Sequence, residues 1–217
     1  MILVPVCAAD DLLFSDDFEN RSSLGDAYAT AKSKNGAWVI QEGVLVGKQT
    51  ESDHGAVIRT EFPFNNVEID FDFRIQGGKS FNFVIDDKHE KSVHAGHICR
   101  VSVLPNRITL GDDKTGSMNL EVRKQRQSND LSAAQRKQLQ ERLQHTQKRV
   151  AVPDLSDTWH HLRIRLDNDV MSLFLDAQPV ATLKSPGLSH PTKNKLGFTV
   201  IGESFAFDNL VIRKLSP

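Results

Sequence analysis

The chain is poor in cysteine, tyrosine and tryptophan: its 217 residues include two Cys, one Tyr and two Trp. Two cysteines cannot form a disulfide framework, so stability has to come from a hydrophobic core. The shortage of Tyr and Trp withholds most of the aromatic platforms that polysaccharide subsites usually offer. A formal net charge of −1 gives no general attraction to nucleic acid or to a membrane surface. No apolar run approaches the length needed to cross a bilayer, so membrane insertion is not expected. The glycines of "RIQGGKS" and "GESFAF" form no phosphate-cradling motif, and no Ser-His-Asp elbow is visible.

What is present is a 39% hydrophobic content, which is enough for a real core. The first residues read "MILVPVCAADD"; residues 2–9 are apolar or small, and Val6-Cys7-Ala8 before Ala9 resembles a signal-peptidase cleavage site. Residues 1–9 are read as the remnant of a secretory leader and 10–217 as one domain, secreted, periplasmic or extracellular. The alternative is an apolar first strand of a cytosolic protein. Removal of the leader would leave Cys99 alone.

Alternation of apolar and polar residues at a period of two dominates. It predicts strands over 36–40, 44–48, 56–62, 67–75, 80–86, 97–104 and 107–110, then over 159–167, 170–177, 179–183, 196–202 and 206–215. Many short strands separated by Gly, Asn and Asp argue for an antiparallel sandwich or barrel. The interruption is an insertion over 112–153. Its second half, "LSAAQRKQLQERLQHTQKRV", has helical propensity and good N-cap residues in Ser128, Asn129 and Asp130. Leu139, Leu143, Thr146 and Val150 make a narrow apolar stripe along a helix over 131–150 that Pro153 stops. Residues 121–150 hold eight Lys or Arg against three Asp or Glu, a net of +5 that leaves the remainder at −6. This helix is either a solvated, docked insertion, a basic face for an anionic glycan, or a contact for self-association.

Several stretches together resemble the concanavalin A-like lectin/glucanase superfamily, particularly the bacterial 3-keto-disaccharide hydrolase domain family. They are "LLFSDDFEN" followed by "GAWVIQEGVLVGK", then "VEIDFDFRIQGGKSFNFVIDD", "HICRVSVLPNRITLGDDKTG", "DTWHHLRIRLDNDVMSLFLDAQPV" and the closing "KLGFTVIGESFAFDNLVIRKL". The resemblance spans nearly all of residues 12–215 outside the helix. It implies an all-β fold, a two-sheet antiparallel jelly-roll sandwich with one inserted α-helix, and carbohydrate as partner. Members include hydrolases and lectin-like modules, so two functions stay open. One is a glycoside hydrolase acting on a glycan or a 3-keto-glycoside. The other is a non-catalytic carbohydrate-binding or cell-surface interaction module.

In "VEIDFDFRI", Val67, Ile69, Phe71, Phe73 and Ile75 point to the core, and Glu68, Asp70, Asp72 and Arg74 point the other way. Glu-Ile-Asp-Phe-Asp resembles the Glu-x-Asp-x-Glu signature of family 16 glycoside hydrolases. The resemblance would make Glu68 the nucleophile, Asp70 its support and Asp72 the acid, although Asp72 is one methylene shorter than the family's Glu. The competing reading is a cross-strand ion ladder with Arg163 and Arg165 of "WHHLRIRLD". Arg74, His97 and Arg100 are candidate substrate-binding residues, the last two if they face the same groove as Glu68 and Asp70. "DDKHEKSVHAGHICR" has a His-x4-His-x2-His spacing open to zinc or to a plain polar loop. For Asp208 of "AFDNLVI", the resemblance implies a structural Ca²⁺ shared with the region of Asp17 or Gly43; an Asx turn is the alternative.

Overall fold

Alternate residues along two long strands supply a core made largely of phenylalanine. In the computed structural model, which describes residues 11–31 and 36–215, these strands are β6 (Val67–Asp86) and β13 (Lys193–Lys214). The others, in chain order, are β1 (Leu12–Asp16), β2 (Ala29–Ala31), β3 (Trp38–Gln41), β4 (Val44–Lys48), β5 (Ala56–Phe64), β7 (His97–Leu104), β8 (Arg107–Asp112), β9 (Gln147–Ala151), β10 (Trp159–Asp167), β11 (Val170–Leu175) and β12 (Gln178–Lys184). The segment between β8 and β9 carries α1 (Leu120–Gln127) and α2 (Ala133–His145). The predicted leader remnant over 1–9 lies outside the described residues.

β6 and β13 pair with each other antiparallel along almost their whole length and pass through both layers of a sandwich. In the first layer, the N-terminal half of β6 is flanked by β10, β11 and β12, and the C-terminal half of β13 by β1 and by β4 with β3. In the second layer, the C-terminal half of β6 continues into β7, β8 and β9, while the N-terminal half of β13 continues into β5 and β2. This is the all-β, two-layer antiparallel jelly roll expected from the sequence. Phe71 and Phe73 of the first layer meet Phe81, Phe83 and Phe198 of the second, with Phe71 and Phe83 rings 5.3 Å apart and Phe71 and Phe198 5.1 Å apart. All of them are buried. Each contributes about 1.5–3 kcal/mol by leaving water. A core of hydrocarbon rings needs no hydrogen-bond partner inside, which suits a chain with few Tyr and Trp.

Three differences from the sequence reading have physical causes. The predicted pairs 67–75 with 80–86, and 196–202 with 206–215, are each one continuous strand. Gly77 and Gly78 lie opposite Gly202 and Ser204 at the passage between layers, with register shifts there. A Cβ on Gly78 would meet the Phe205 ring at 2.0 Å, so the backbones cross closely only without a side chain. Second, the single helix over 131–150 is shorter and is preceded by another. Ser132 and Gln135 form a capping box that starts α2. At its other end, the Thr146 hydroxyl donates to the Arg142 and Leu143 carbonyls. After Thr146 the chain leaves the helix and pairs with β8, so Val150 sits in β9 and not on the helical stripe. Third, β1 and β2 were not expected from alternation; they are short edge strands held by β13 and β5.

Candidate functional site

The two outer faces of the sandwich carry different chemistry. Glu68, Asp70 and Asp72 do share the outer face of the first layer, as alternation requires. Their antiparallel neighbours on β10 are Arg165, Arg163 and His161 in register. Asp70 is buried and accepts from Arg163 Nε at 2.7 Å and from His161 Nε2 at 3.1 Å, with Arg213 Nη1 at 3.7 Å. Asp72 meets His161 Nδ1 at 2.8 Å and accepts from Asn209 Nδ2 at 2.9 Å. Glu68 lies 3.8 Å from Arg163 Nε. Cross-strand opposite charges of this kind each contribute about 0.2–1 kcal/mol. Arg163, Arg213 and His161 thus pair with the acids, while Arg165 turns to Asp167 at 3.5 Å, so only part of the expected ladder forms. Arg74, at its end, lies over the Trp159 ring at 5.1 Å, and Trp159 is 42% exposed, against the buried position its strand pattern suggests. Trp38, by contrast, is buried against Gly47 and Phe207.

His97 and Arg100 are on the opposite side of the sandwich. On β7, Cys99, Val101 and Val103 enter the core, and Arg100 and Ser102 face out from the second layer. They therefore do not share a groove with Glu68 and Asp70, and the reason is the layer change at Gly77 and Gly78. The outer face of the second layer holds a cleft of about 430 Å³ lined by Arg59, Asn82, Asp86, His97, Arg100 and Thr199, among others. Asp86 Oδ1 is 2.6 Å from His97 Nδ1, and Asp86 Oδ2 accepts from Arg59 Nε at 3.2 Å. A carboxylate accepts only, so this contact places a proton on His97 Nδ1 and leaves Nε2 as the other ring nitrogen. Nε2 makes no hydrogen bond among the described residues. Burial lowers the pKa of Arg59, and the adjacent Asp86 works against that fall. The guanidinium remains a cation and donates further to the Phe198 carbonyl and to Thr199 Oγ1.

The local backbone explains how His97 reaches Asp86. Ala95 and Gly96 both take positive φ, 54° and 79°. The turn folds so tightly onto Asp87 that a Cβ on Gly96 would stand 2.3 Å from its carbonyl oxygen. A hydrogen bond from Asp87 N to Gly96 O at 2.9 Å closes it. Beside the dyad, Arg100 Nη2 donates to Ser117 Oγ at 3.0 Å and Nη1 lies 3.2 Å from Asp113 Oδ2. Burial raises the Asp113 carboxyl above its ordinary range, against the pull of Arg100.

The acid- and histidine-rich turn does not assemble a metal site. Asp87 points away from the cleft and accepts from Thr192 Oγ1, His190 Nε2, Asn194 Nδ2 and the His89 backbone N–H at 2.7–2.9 Å. Among the described residues, no group of three or more His, Cys, Asp or Glu side chains is placed to hold an ion. Burial pushes the Cys99 thiol well above its ordinary range, and it is inert core. At the far end of the first layer, Asp208 lies near carboxylates. Burial first, and then the charges of Asp72, Glu19 and Asp17, raise its pKa. The Glu19 carboxylate covers Gly43, 2.6 Å from where a Cβ would stand. Acidic groups crowd this end of the layer, but among the described residues no three of them are placed together as ligands to an ion.

Sequence reading missed Arg59, and met Asp86 only as the first residue of the stretch "DDKHEKSVHAGHICR" that was open to zinc. The available signal was a charged residue inside the apolar run of "AVIRTEF"; an Arg there needs a buried acceptor.

Comparison with known proteins agrees with this architecture. The family model for the 3-keto-alpha-glucoside-1,2-lyase-like domain matches residues 15–213. Solved structures with the same fold include carbohydrate binding module CBM66 from Bacillus subtilis, 14% identical with a TM-score of 0.56, covering 87% of this chain and 96% of that one. An endo-β-1,3-glucanase from Pyrococcus furiosus is 13% identical with a TM-score of 0.59, covering 95% of each chain. Porphyranase B from Zobellia galactanivorans is 7% identical with a TM-score of 0.65, covering 95% of this chain and 93% of that one. No curated protein matches. With a family match across nearly the whole jelly roll, this chain belongs to the 3-keto-alpha-glucoside-1,2-lyase-like domain family.

Proposed function

We propose that the domain cleaves the glycosidic bond of a 3-keto-glycoside in the cleft of the second layer, with His97 as the base. The observation that carries this reading is the 2.6 Å contact between Asp86 and His97 Nδ1, braced by Arg59. A ketone at C3 acidifies the hydrogen on C2. His97 Nε2 takes that proton, the electron pair becomes the C1=C2 double bond, and the C1–O bond to the leaving group breaks. The departing alkoxide takes a proton back from the imidazolium, which Asp86 has stabilised. Arg100, on the same face as His97, supplies positive charge for the C3 oxygen as the enolate forms. The ion-paired acids Glu68, Asp70 and Asp72 take no part in this scheme.

Turnover of 3-keto-glycosides, followed by release of the alcohol, tests the reading against the same glycosides unoxidised. Loss of a positioned base costs about 10²–10⁴-fold, so His97→Asn should fall by that factor while Glu68→Gln stays at the wild-type rate. Full activity in His97→Asn, or turnover that depends on Glu68, would overturn it. The second reading is a carbohydrate-binding module without catalysis, supported by the fold shared with CBM66; binding without turnover would favour it. For Asp208 we propose a structural Ca²⁺ that offsets the repulsion among its neighbours.

A further inference from the structure

The cleft does not end at Arg100. A second hollow of about 210 Å³ continues from it across β7, β8 and β9 and is lined by Arg100, Arg107 and Arg149, with Ser102 and Gln147. Pairing explains its shape. Gly111 is the partner of Arg100 on one side and of Gln147 on the other, so the floor between them has no side chain. A Cβ at Gly111 would make only ordinary contact, 3.9 Å from Arg100, so the floor has room above it. Ser102, Thr109 and Arg149 make the next row. Among the described residues, neither Arg107 nor Arg149 forms an ion pair, and the Nε of Arg107 is buried without an acceptor. Three arginines therefore line one hollow with a single carboxylate, Asp113, which is already within reach of Arg100. With one carboxylate among three arginines the hollow keeps a net positive charge, and an anion with several oxygens neutralises it through forked hydrogen bonds to Arg107 and Arg149.

We infer that this hollow is an anion subsite, and that the glycan entering the cleft is acidic, carrying a sulfate ester or carboxylate one or more sugars from the bond beside His97. The inference rests on the proposed cleft as the sugar site and names the class of substrate it takes. Arg149 also lines a further hollow with Arg126 and Arg136 beside α2, so the positive strip extends past the subsite along the chain's basic segment.

The test is calorimetric binding of the full chain to matched oligosaccharides: a neutral β-glucan, a sulfated galactan and an oligogalacturonate, with a polynucleotide of equal charge as control. The acidic glycans should bind at least about tenfold more tightly than the neutral one, with affinity that weakens as salt rises, since one charge-assisted contact is worth about that much. Arg107→Gln with Arg149→Gln should remove that preference, leave neutral binding unchanged and melt as the wild type; Arg107→Lys should restore part of it. The two acidic probes distinguish sulfate from carboxylate. Equal affinity for neutral and acidic glycans, an unchanged double variant, or a polynucleotide bound as tightly as the glycans would each overturn the inference. The first of these with His97-dependent turnover intact would leave the proposed reaction standing. Arginine-dependent binding of acidic glycans without any turnover would sink the reaction and keep the subsite.

Discussion

Asp86 and Asp87 are neighbours with opposite duties. At the end of a strand they point to different sides, so Asp86 orients a histidine at the cleft and Asp87 pins the loop before β13. Burial alone would raise the Asp87 pKa, but hydrogen bonds from Thr192, His190, the His89 amide and Asn194 outweigh it and hold the carboxyl far below the usual range. A carboxyl whose folded pKa is depressed contributes stability that is fully present above its unfolded pKa, about 3.9, and lost as pH falls toward the folded value. Asp87→Asn should therefore lower Tm at pH 7 and flatten the acid limb below about pH 4 by up to one proton, about 1.4 kcal/mol per pH unit. Thermal melts from pH 7 down to pH 2.5 check this, and parallel acid limbs in both proteins would refute it. Little of this was legible in "DDKHEKSVHAGHICR". The string names residues that bind protons and metals, but which aspartate faces which histidine depends on a turn closed by a non-glycine residue in the left-handed region, Ala95.

Among the elements, β6 and β13 decide where every site residue lies. Their alternation was readable, including the inward Phe71 and Phe73 and the outward acids. Their continuity was not, because glycine pairs read as turns as readily as close crossings. The prediction at this scale concerns two glycines. Gly78→Ala must push its Cβ into the Phe205 ring and should cost about 1–3 kcal/mol. Gly111→Ala places its Cβ in ordinary contact, 3.9 Å from Arg100, and should change stability by less than about 0.5 kcal/mol. Chemical denaturation of both variants measures the pair; equal costs would mean that the layer crossing is not tightly packed. The same logic covers the insertion. Its helical propensity was visible, while the change to strand after Thr146 came from open hydrogen-bonding positions on β8, which lie far off in sequence. That change brings Arg149 onto the outer face beside Arg107.

For the molecule as a whole, the N-terminal segment and the last strand meet around Asp208. A calcium ion held there would bind only the folded state. It should stabilise by about 2.7 kcal/mol at a hundredfold excess over its Kd, and Asp208→Asn should abolish the gain. Melts with calcium and with a chelator measure it, and an unchanged Tm would remove the ion from the account. Carbohydrate chemistry, by this reading, belongs to the second layer, and the acid strand that most resembles a catalytic signature belongs to a salt-bridged outer surface of the first.

The sequence by itself determined the class of fold, most of the strands, the inward and outward sides of each, and the segregation of positive charge into one segment. These follow from period-two alternation and composition, which act locally along the chain. Only the tertiary structure decided that Glu68, Asp70 and Asp72 stand back to back with His97 and Arg100, and that Arg59 and Asp86 join His97. Those relations depend on where two long strands cross between layers and on which side chains meet across the sheet, and pairing between distant residues leaves no mark in the local pattern.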